Sequence, residues 1–185
     1  MLLNDEEQKQ LLLIAKQAIG YGLETGKVLP ISLTDYSVAL NQARATFVTL
    51  ELNQQLRGCI GMLEAVRPLI LDVTENAFAA AFRDNRFAPV TPQEFAQLAI
   101  HISILTPAEQ IYFESEADFM QQLRPRIDGI ILVEEGRRAT FLPSVWEALP
   151  EPGTFIGQLK RKAGLPERYW SETIKAYRYT TELIE

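Results

Sequence analysis

The sequence has very few of the residues that build metal and redox sites. Its 185 residues include one cysteine, Cys59, and one histidine, His101. A single cysteine excludes a disulfide framework and zinc sites that require several cysteine or histidine ligands. It also leaves the chain without the ligands of an iron–sulfur cluster. We therefore expect no resident metal and no cofactor.

Positive charge and long apolar runs are also scarce. Lys and Arg number 18 against 24 Asp and Glu, which gives a net charge of −6 and a pI near 5.0. This balance argues against binding nucleic acid by phosphate neutralisation, although it leaves room for a local basic patch. No apolar run reaches the roughly 18 residues typical of a membrane span. The acidic start, Met1–Glu7, lacks the positive charge of a signal peptide, so we expect a cytoplasmic protein.

The only cysteine lies in the second strand of a predicted β-hairpin. Ala45–Leu52 alternates apolar and polar residues, which favours a half-buried strand. The polar segment Asn53–Gln55 predicts a hairpin connection, so Leu56–Gly61, with the sequence LRGCIG, is expected to be the returning strand. In a regular strand Arg57 and Cys59 would share one face, with Cα atoms roughly 6 to 7 Å apart.

The residues of this motif support two interpretations. A guanidinium near Cys59 favours its thiolate, which makes Arg57 and Cys59 a candidate catalytic pair. Gly58 and Gly61 mark places where another group approaches the backbone closely, and they are candidate substrate-binding positions. Alternatively, Cys59 is a small buried hydrophobe, and the glycines let a helix pack against the sheet.

The motif and the segments around it resemble the AMMECR family, and in particular the A protein of the AmmeMemoRadiSam system. Besides LRGCIG, the matching blocks occur in family order and run from about Phe47 to Tyr179. They are Phe47–Leu50, Glu75–Ala77, Ala80–Phe87, Ile102–Pro107, Ala139–Pro143, Val145–Glu147, Lys162–Leu165 and Trp170.

The resemblance implies a fold, a site and partners, but no reaction. It implies a compact α/β fold with two unequal subdomains, with LRGCIG as the site. Family members occur beside Memo-like and radical-SAM proteins, so partners of these kinds are expected in trans. Independently, hairpins among interleaved helices predict an α+β or mixed α/β fold, with a largely antiparallel or mixed sheet flanked by helices. We treat 1–185 as a single AMMECR-like domain.

A charged turn, Arg83–Phe87, follows the helix predicted to start near Pro68. It is either a capped helix end with a local Asp–Arg pair, or a site where Arg83 or Arg86 points toward LRGCIG and binds an anion; the resemblance puts the second on an equal footing with the first. Asp72 and Glu75 on the same helix stand at i,i+3, a spacing that suits a hard cation. A solvated helix face explains them as well, so no metal site is predicted.

His101 lies in a strictly alternating segment, Ala99–Leu105, with isoleucines on the inward face. It is the one residue able to form a Cys/His pair with Cys59. Its position on the outward face favours a solvent-facing strand residue instead.

Other elements follow from caps and turns. We predict a first helix that is capped by Asn4 and Glu7 and ends near Gly22–Gly26, and a short helix that begins at the capping box of Thr91 and Glu94. Further helices are predicted at Asp35–Leu40, at Ser115–Leu123 and from a Thr154 cap to Gly164, with a helical turn at Ser144–Leu149. We also predict a hairpin of Gly129–Val133 with Arg138–Phe141 and a last strand at Thr173–Thr180.

Two functions of different classes remain. The first is an enzyme that uses Cys59 as nucleophile or acid/base, with Arg57 holding the thiolate or a substrate anion. The second is a non-catalytic module in which LRGCIG presents a surface to a partner, within a macromolecule-modification pathway. The glycine-framed Arg/Cys arrangement favours the enzyme, because docking alone does not require it.

Overall fold

Two four-stranded sheets organise the chain. The structure, a computed structural model, describes residues 3–185, so Met1 and Leu2 of the acidic N-terminal stretch lie outside it. The chain divides into a first unit, up to Leu105 together with Glu182–Glu185, and a second unit, Thr106–Thr181. The fold is α+β, with antiparallel sheets flanked by helices, as the sequence predicts.

The elements are as follows in chain order. Up to Leu105 they are α1 (Asp5–Thr25), a 3₁₀ turn (Leu33–Asp35), β1 (Thr46–Leu52), β2 (Gln55–Gly61), α2 (Leu69–Phe82), α3 (Pro92–Phe95) and β3 (Ala99–Leu105). Next come β4 (Glu109–Ile111), α4 (Glu116–Gln122), β5 (Gly129–Glu134), β6 (Arg137–Phe141), a 3₁₀ turn (Pro143–Glu147), α5 (Pro152–Lys162), β7 (Lys175–Tyr179) and β8 (Thr181–Ile184). The sheet orders are β2-β1-β3-β8 and β4-β7-β5-β6.

Helix α1 begins and ends where the sequence predicts. The Asn4 side chain accepts the Glu7 N–H at 2.9 Å, and the Glu7 carboxylate accepts the Asn4 N–H at 3.0 Å, which completes a capping box. Gly26 ends the helix in the left-handed region, at φ +70°. The helix buries one apolar stripe in the core of the first unit: Leu11, Ile14, Ala15, Ala18 and Ile19.

Helix α2 packs closely against the first sheet. A Cβ on Gly58 of β2 would overlap with the carbonyl oxygen of Ala80. The alanine-rich helix therefore approaches the strand at backbone distance, which confirms the packing interpretation of this glycine.

A buried polar network ties α2 to the start of β1. The backbone N–H and hydroxyl of Thr46 donate to Asp72 Oδ2 at 2.9 and 2.6 Å, and Arg67 Nε donates to Oδ1 at 2.7 Å. Arg67 also pairs with Glu75. Asp72 is fully buried, so its predicted place on a solvated helix face is wrong; the donors on Thr46 and Arg67 compensate its desolvation. Burial still raises the pKa of Asp72, against the opposing hydrogen bonds from Thr46 and Arg67.

The second unit has its own aromatic core. Trp146 and Phe155 stack with ring centroids 3.7 Å apart, and Trp146 Nε1 donates to the carbonyl of Asp128 at 2.7 Å. Lys160 is almost fully buried, where it pairs with Glu116 and lies 5.4 Å from the centroid of Trp170.

Three local predictions differ from the structure. The helix predicted at Asp35–Leu40 is a 3₁₀ turn at Leu33–Asp35, because the Asn41 amide donates to the carbonyls of Leu33 and Tyr36. Helix α5 is capped at Glu151, with Pro152 in its first turn, so Thr154 lies inside it. The last strand, predicted at Thr173–Thr180, is shorter in the structure, where β7 spans Lys175–Tyr179.

Two strands, β4 and β8, were not predicted. Across residues 3–185, no helix is long and apolar enough to cross a membrane. The same residues contain no group of three or more His, Cys, Asp or Glu side chains arranged to hold a metal ion.

Candidate functional site

The predicted site lies on β2, an edge strand of the first sheet. Cys59 pairs with Thr49 of β1 on one side. On the other side, its backbone N–H donates to Asp84 Oδ2 at 2.9 Å and its carbonyl accepts from Arg86 Nη2 at 3.2 Å. The turn after α2 thus provides a hydrogen-bond partner for each outward backbone group of Cys59.

Asp84 and Arg86 form this cap as one unit. Arg86 Nε donates to Asp84 Oδ1 at 2.9 Å, and Nη2 donates to Oδ2 at 2.7 Å. Hydrogen bonds from Arg86, and a further one from the Cys59 backbone, hold the pKa of Asp84 far below its usual range. The Asp84 side chain is 3% exposed and that of Arg86 is 52% exposed, so the guanidinium keeps a surface open to solvent.

The structure separates the two arginines of the charged turn. Arg86 reaches the motif, as one of the two sequence interpretations predicts, and it does so within a local Asp–Arg pair, as the other predicts. Arg83 lies with its guanidinium 4.9 Å from the centroid of the Phe78 ring, so its contact is with α2.

The thiol of Cys59 also has a partner. The Thr49 hydroxyl donates to Cys59 Sγ at 3.3 Å, and the residue is partly exposed. All three polar groups of Cys59, namely N–H, C=O and Sγ, are therefore in contact with side chains.

Arg57 is held away from this arrangement. Its Nε and Nη2 donate to the Glu94 carboxylate at 2.8 and 3.2 Å, and Nη2 also donates to the carbonyl of Ala88 at 2.9 Å. Arg57 lowers the pKa of Glu94 to about 2, with help from the backbone of Thr91. The positive charge of Arg57 is thus already balanced.

A register shift explains the position of Arg57. Gly58 pairs with Leu50, but Leu56 pairs with Glu51, so one residue of β2 is left over between them. The regular alternation that would place Arg57 on the Cys59 face is interrupted at this bulge.

Gly61 is also a packing position. A Cβ there would overlap with the Phe47 ring and the carbonyl oxygen of Thr46. With Gly58 against Ala80, each motif glycine has a neighbour that excludes a side chain.

His101 shares a row with Cys59 but is not adjacent to it. Thr49 of β1 pairs with Cys59 on one side and with His101 of β3 on the other. The Cα atoms of Cys59 and His101 are therefore roughly 10 Å apart, two strand spacings. The ring of His101 faces two carboxylates, with Nδ1 3.1 Å from Glu185 and Nε2 3.5 Å from Glu51.

Sequence reasoning did not assign Thr49, Asp84 or Glu94 to the site. The signal for Thr49 was the hairpin itself, since its register places Thr49 opposite Cys59. Asp84 carried a weaker signal as the acid of the charged turn. Glu94 was recognised only as the capping-box residue of α3, which it is, and nothing local indicated that it also binds Arg57.

Comparisons with known proteins agree with this fold. The AMMECR1 family model matches residues 12–184. A protein of Methanothermobacter thermautotrophicus is 36% identical over 188 residues, covering 98% of this chain and 95% of that protein. A protein of Thermotoga maritima is 35% identical, covering 85% of this chain and 86% of that protein. The crystal structure of an uncharacterised protein from Pyrococcus horikoshii is similar, with a TM-score of 0.90 and 31% identity, covering 98% of this chain and 92% of that one.

Proposed function

The chain belongs to the AMMECR1 family, and from this premise we propose that it is an enzyme that uses the Cys59 thiol on a substrate carrying an anionic group. The observation that supports the proposal is the set of side-chain contacts to Cys59: Thr49 at Sγ, Asp84 at N–H and Arg86 at C=O. The two backbone contacts would serve any residue at this position, but the hydrogen bond to Sγ is specific to the cysteine. Catalytic groups are held in place by such surrounding hydrogen bonds.

The proposed roles follow from the contacts. Thr49 favours the thiolate, the form that acts as nucleophile or proton acceptor. Asp84 and Arg86 fix the backbone of Cys59, and the exposed part of the Arg86 guanidinium is free to meet a substrate carboxylate or phosphate. Arg57, paired with Glu94, has a positioning role. We place the reaction in the cytoplasm, where thiols stay reduced.

The test is the rate at which iodoacetamide alkylates Cys59 in the folded protein at pH 7. Thr49→Val keeps the side-chain shape and removes the hydroxyl donor, so the rate should fall about tenfold, the worth of one hydrogen bond to a charged group. Arg57→Ala should change the rate less than Thr49→Val. Cys59→Ala provides the background. An unchanged rate in folded Thr49→Val would refute the proposed role of the thiol.

A second candidate is a non-catalytic binding module that works with Memo-like or radical-SAM proteins in trans. It is favoured by the packing of Gly58 and Gly61 and by the balanced charge of Arg57, which together give most of the motif a structural role. Calorimetric titration with purified proteins of both kinds separates the candidates. Equal affinity for wild type and Cys59→Ala, together with an unreactive thiol, would favour the module.

A further inference from the structure

The second unit contains a cavity of about 290 Å³. Its lining includes Thr106, Glu109, Arg124, Arg178 and Thr180. This volume is at the lower end of the range for ligand pockets, so it suits a small molecule. None of these residues takes part in the thiol function proposed above, and the cavity therefore calls for a separate explanation.

One arginine of the cavity, Arg124, is paired with a buried carboxylate. Arg124 donates to Asp128 Oδ1 through Nε at 2.9 Å and through Nη2 at 2.6 Å, and its backbone N–H donates to Oδ2 at 2.9 Å. Asp128 is completely buried, and these bonds raise the pKa of Arg124. The charge of Asp128 is thus balanced mainly by Arg124, with Arg178 as a second cation 3.6 Å away.

Arg178 is left without a hydrogen-bond acceptor. Its Nη1 forms an ion pair with Asp128 Oδ2 at 3.6 Å, which is too long for a hydrogen bond, and its guanidinium makes no hydrogen bond within residues 3–185. The side chain is 21% exposed, so most of its apolar stem is covered. A guanidinium carries five N–H donors in a planar fork, and Arg178 is one of the residues that line the cavity.

A second unused donor lines the same cavity. The Thr106 hydroxyl oxygen accepts from the Thr180 N–H at 2.9 Å and from the Thr180 hydroxyl at 3.4 Å. Because this oxygen accepts twice, its own proton has no partner among the described residues. The cavity is therefore lined by a guanidinium that makes no hydrogen bond within the described residues and by an exposed hydroxyl whose proton is free to donate.

We propose that this cavity binds the oxyanion of a small ligand, a carboxylate or a phosphate, through Arg178 and Thr106. A planar or tetrahedral oxyanion can accept two parallel N–H bonds from the fork and one more from the hydroxyl. The reasons are geometric: Arg178 and Thr106 line the same small cavity, and the guanidinium of Arg178 makes no hydrogen bond within residues 3–185.

Glu109 gives the proposal a second, opposite test. It stands directly across from Arg178 in the β4–β7 pairing, yet the two side chains form no ion pair within 4 Å in the described structure. Its exposed carboxylate lines the cavity and makes the local electrostatic potential more negative, which opposes the binding of an anion. Glu109→Gln should therefore bind an oxyanion more tightly, whereas Arg178→Gln should bind it more weakly.

The experiment is a titration of the full ¹⁵N-labelled chain, followed by NMR. Sodium phosphate and sodium acetate are added in separate arms at an ionic strength held constant with chloride. We expect saturable shifts of the Arg178 Nε–H and of the Thr106 and Thr180 amides. Arg178→Gln should weaken binding about tenfold or more, and Arg168→Gln, which removes an exposed arginine of the same unit, should leave it unchanged. The salt whose shifts saturate at the lower concentration shows whether the cavity prefers a phosphate or a carboxylate.

Several results would overturn the proposal. Shifts that grow linearly in both arms without saturation would mean that no site exists. An unchanged affinity in Arg178→Gln would exclude the assigned residue. If Arg178→Gln fails to fold, Arg178→Lys replaces it, because this change keeps the positive charge and removes the fork of N–H donors. Glu109→Gln still tests the direction of the charge effect on oxyanion affinity: weaker binding in this variant would contradict the proposal.

Discussion

The guanidinium of Arg57 is bound by Glu94, with Nε 2.8 Å from the carboxylate oxygen. The side chains are only 13% and 24% exposed, so the pair is poorly screened by solvent. This contact joins β2 to the N-terminus of α3, and it makes the first residue of the predicted Arg/Cys pair a structural link.

The first prediction concerns this pair. Glu94→Gln keeps a side chain suited to the α3 capping box but loses the charge, so the unfolding free energy should fall by about 1 kcal/mol. Urea denaturation of Arg57→Ala, Glu94→Gln and the double variant measures the loss of unfolding free energy in each. Additive losses would show that the two residues do not interact.

The second prediction concerns the stability of the protein at acidic pH. Asp84 and Glu94 both have a lower pKa in the folded protein than their ordinary values, that of Glu94 being about 2. Their contribution to stability is complete above the unfolded pKa values, roughly 4. It is lost as the pH falls below about 4 toward 2. Between pH 5 and pH 2, the midpoint urea concentration of unfolding should therefore fall less with pH in Asp84→Asn than in the wild type. An equal fall in both proteins would show that Asp84 does not contribute to the acid sensitivity.

The third prediction concerns the close approach of α2 to β2. Gly58→Ala places a methyl group against the carbonyl of Ala80, so the helix must shift, at a cost of about 2 kcal/mol or more. Gly153→Ala is the matched control: its Cβ meets nothing within 4 Å among the described residues, and alanine favours a helix. Thermal unfolding should show a lower midpoint for the first variant and an equal or higher one for the second. Equal midpoints in both variants would contradict the packing role of Gly58.

The fourth prediction concerns the buried network. Asp72→Ala leaves the Thr46 donors and Arg67 without their shared acceptor, so stability should fall by about 3 kcal/mol. Glu75→Gln, on the exposed side of Arg67, should cost less than 1 kcal/mol. Chemical denaturation at pH 7 measures both. A similar loss in the two variants would argue against the buried charge as the cause.

The sequence predicts features whose signals lie within a few residues of each other. The capping boxes at Asn4 and Thr91 and the alternating strand Ala99–Leu105 are examples, and all three are confirmed. The hairpin connection predicted at Asn53–Gln55 is another; the turn itself is Asn53 and Gln54, both at positive φ as a two-residue hairpin turn requires, and Gln55 already begins β2.

Features that depend on distant residues were not predictable. The short strands β4 and β8 exist because of the strands beside them, and their own residues carry little periodicity. The pairing of Arg57 with Glu94, 37 positions later, depends on the turn between α2 and α3 and on the bulge in β2. The candidate residues Cys59 and Arg86 came from local patterns, whereas their contacts came from the fold.

The cap on Cys59 has a consequence for recognition. An edge strand normally offers its outward N–H and C=O groups to any extended chain, which is a route to aggregation and to peptide binding. At Cys59 the carboxylate of Asp84 and the guanidinium of Arg86 already fill both places. An extended polypeptide therefore cannot add a strand there. Whatever meets the thiol must be recognised through side chains, and two copies of this protein cannot associate edge to edge at that point.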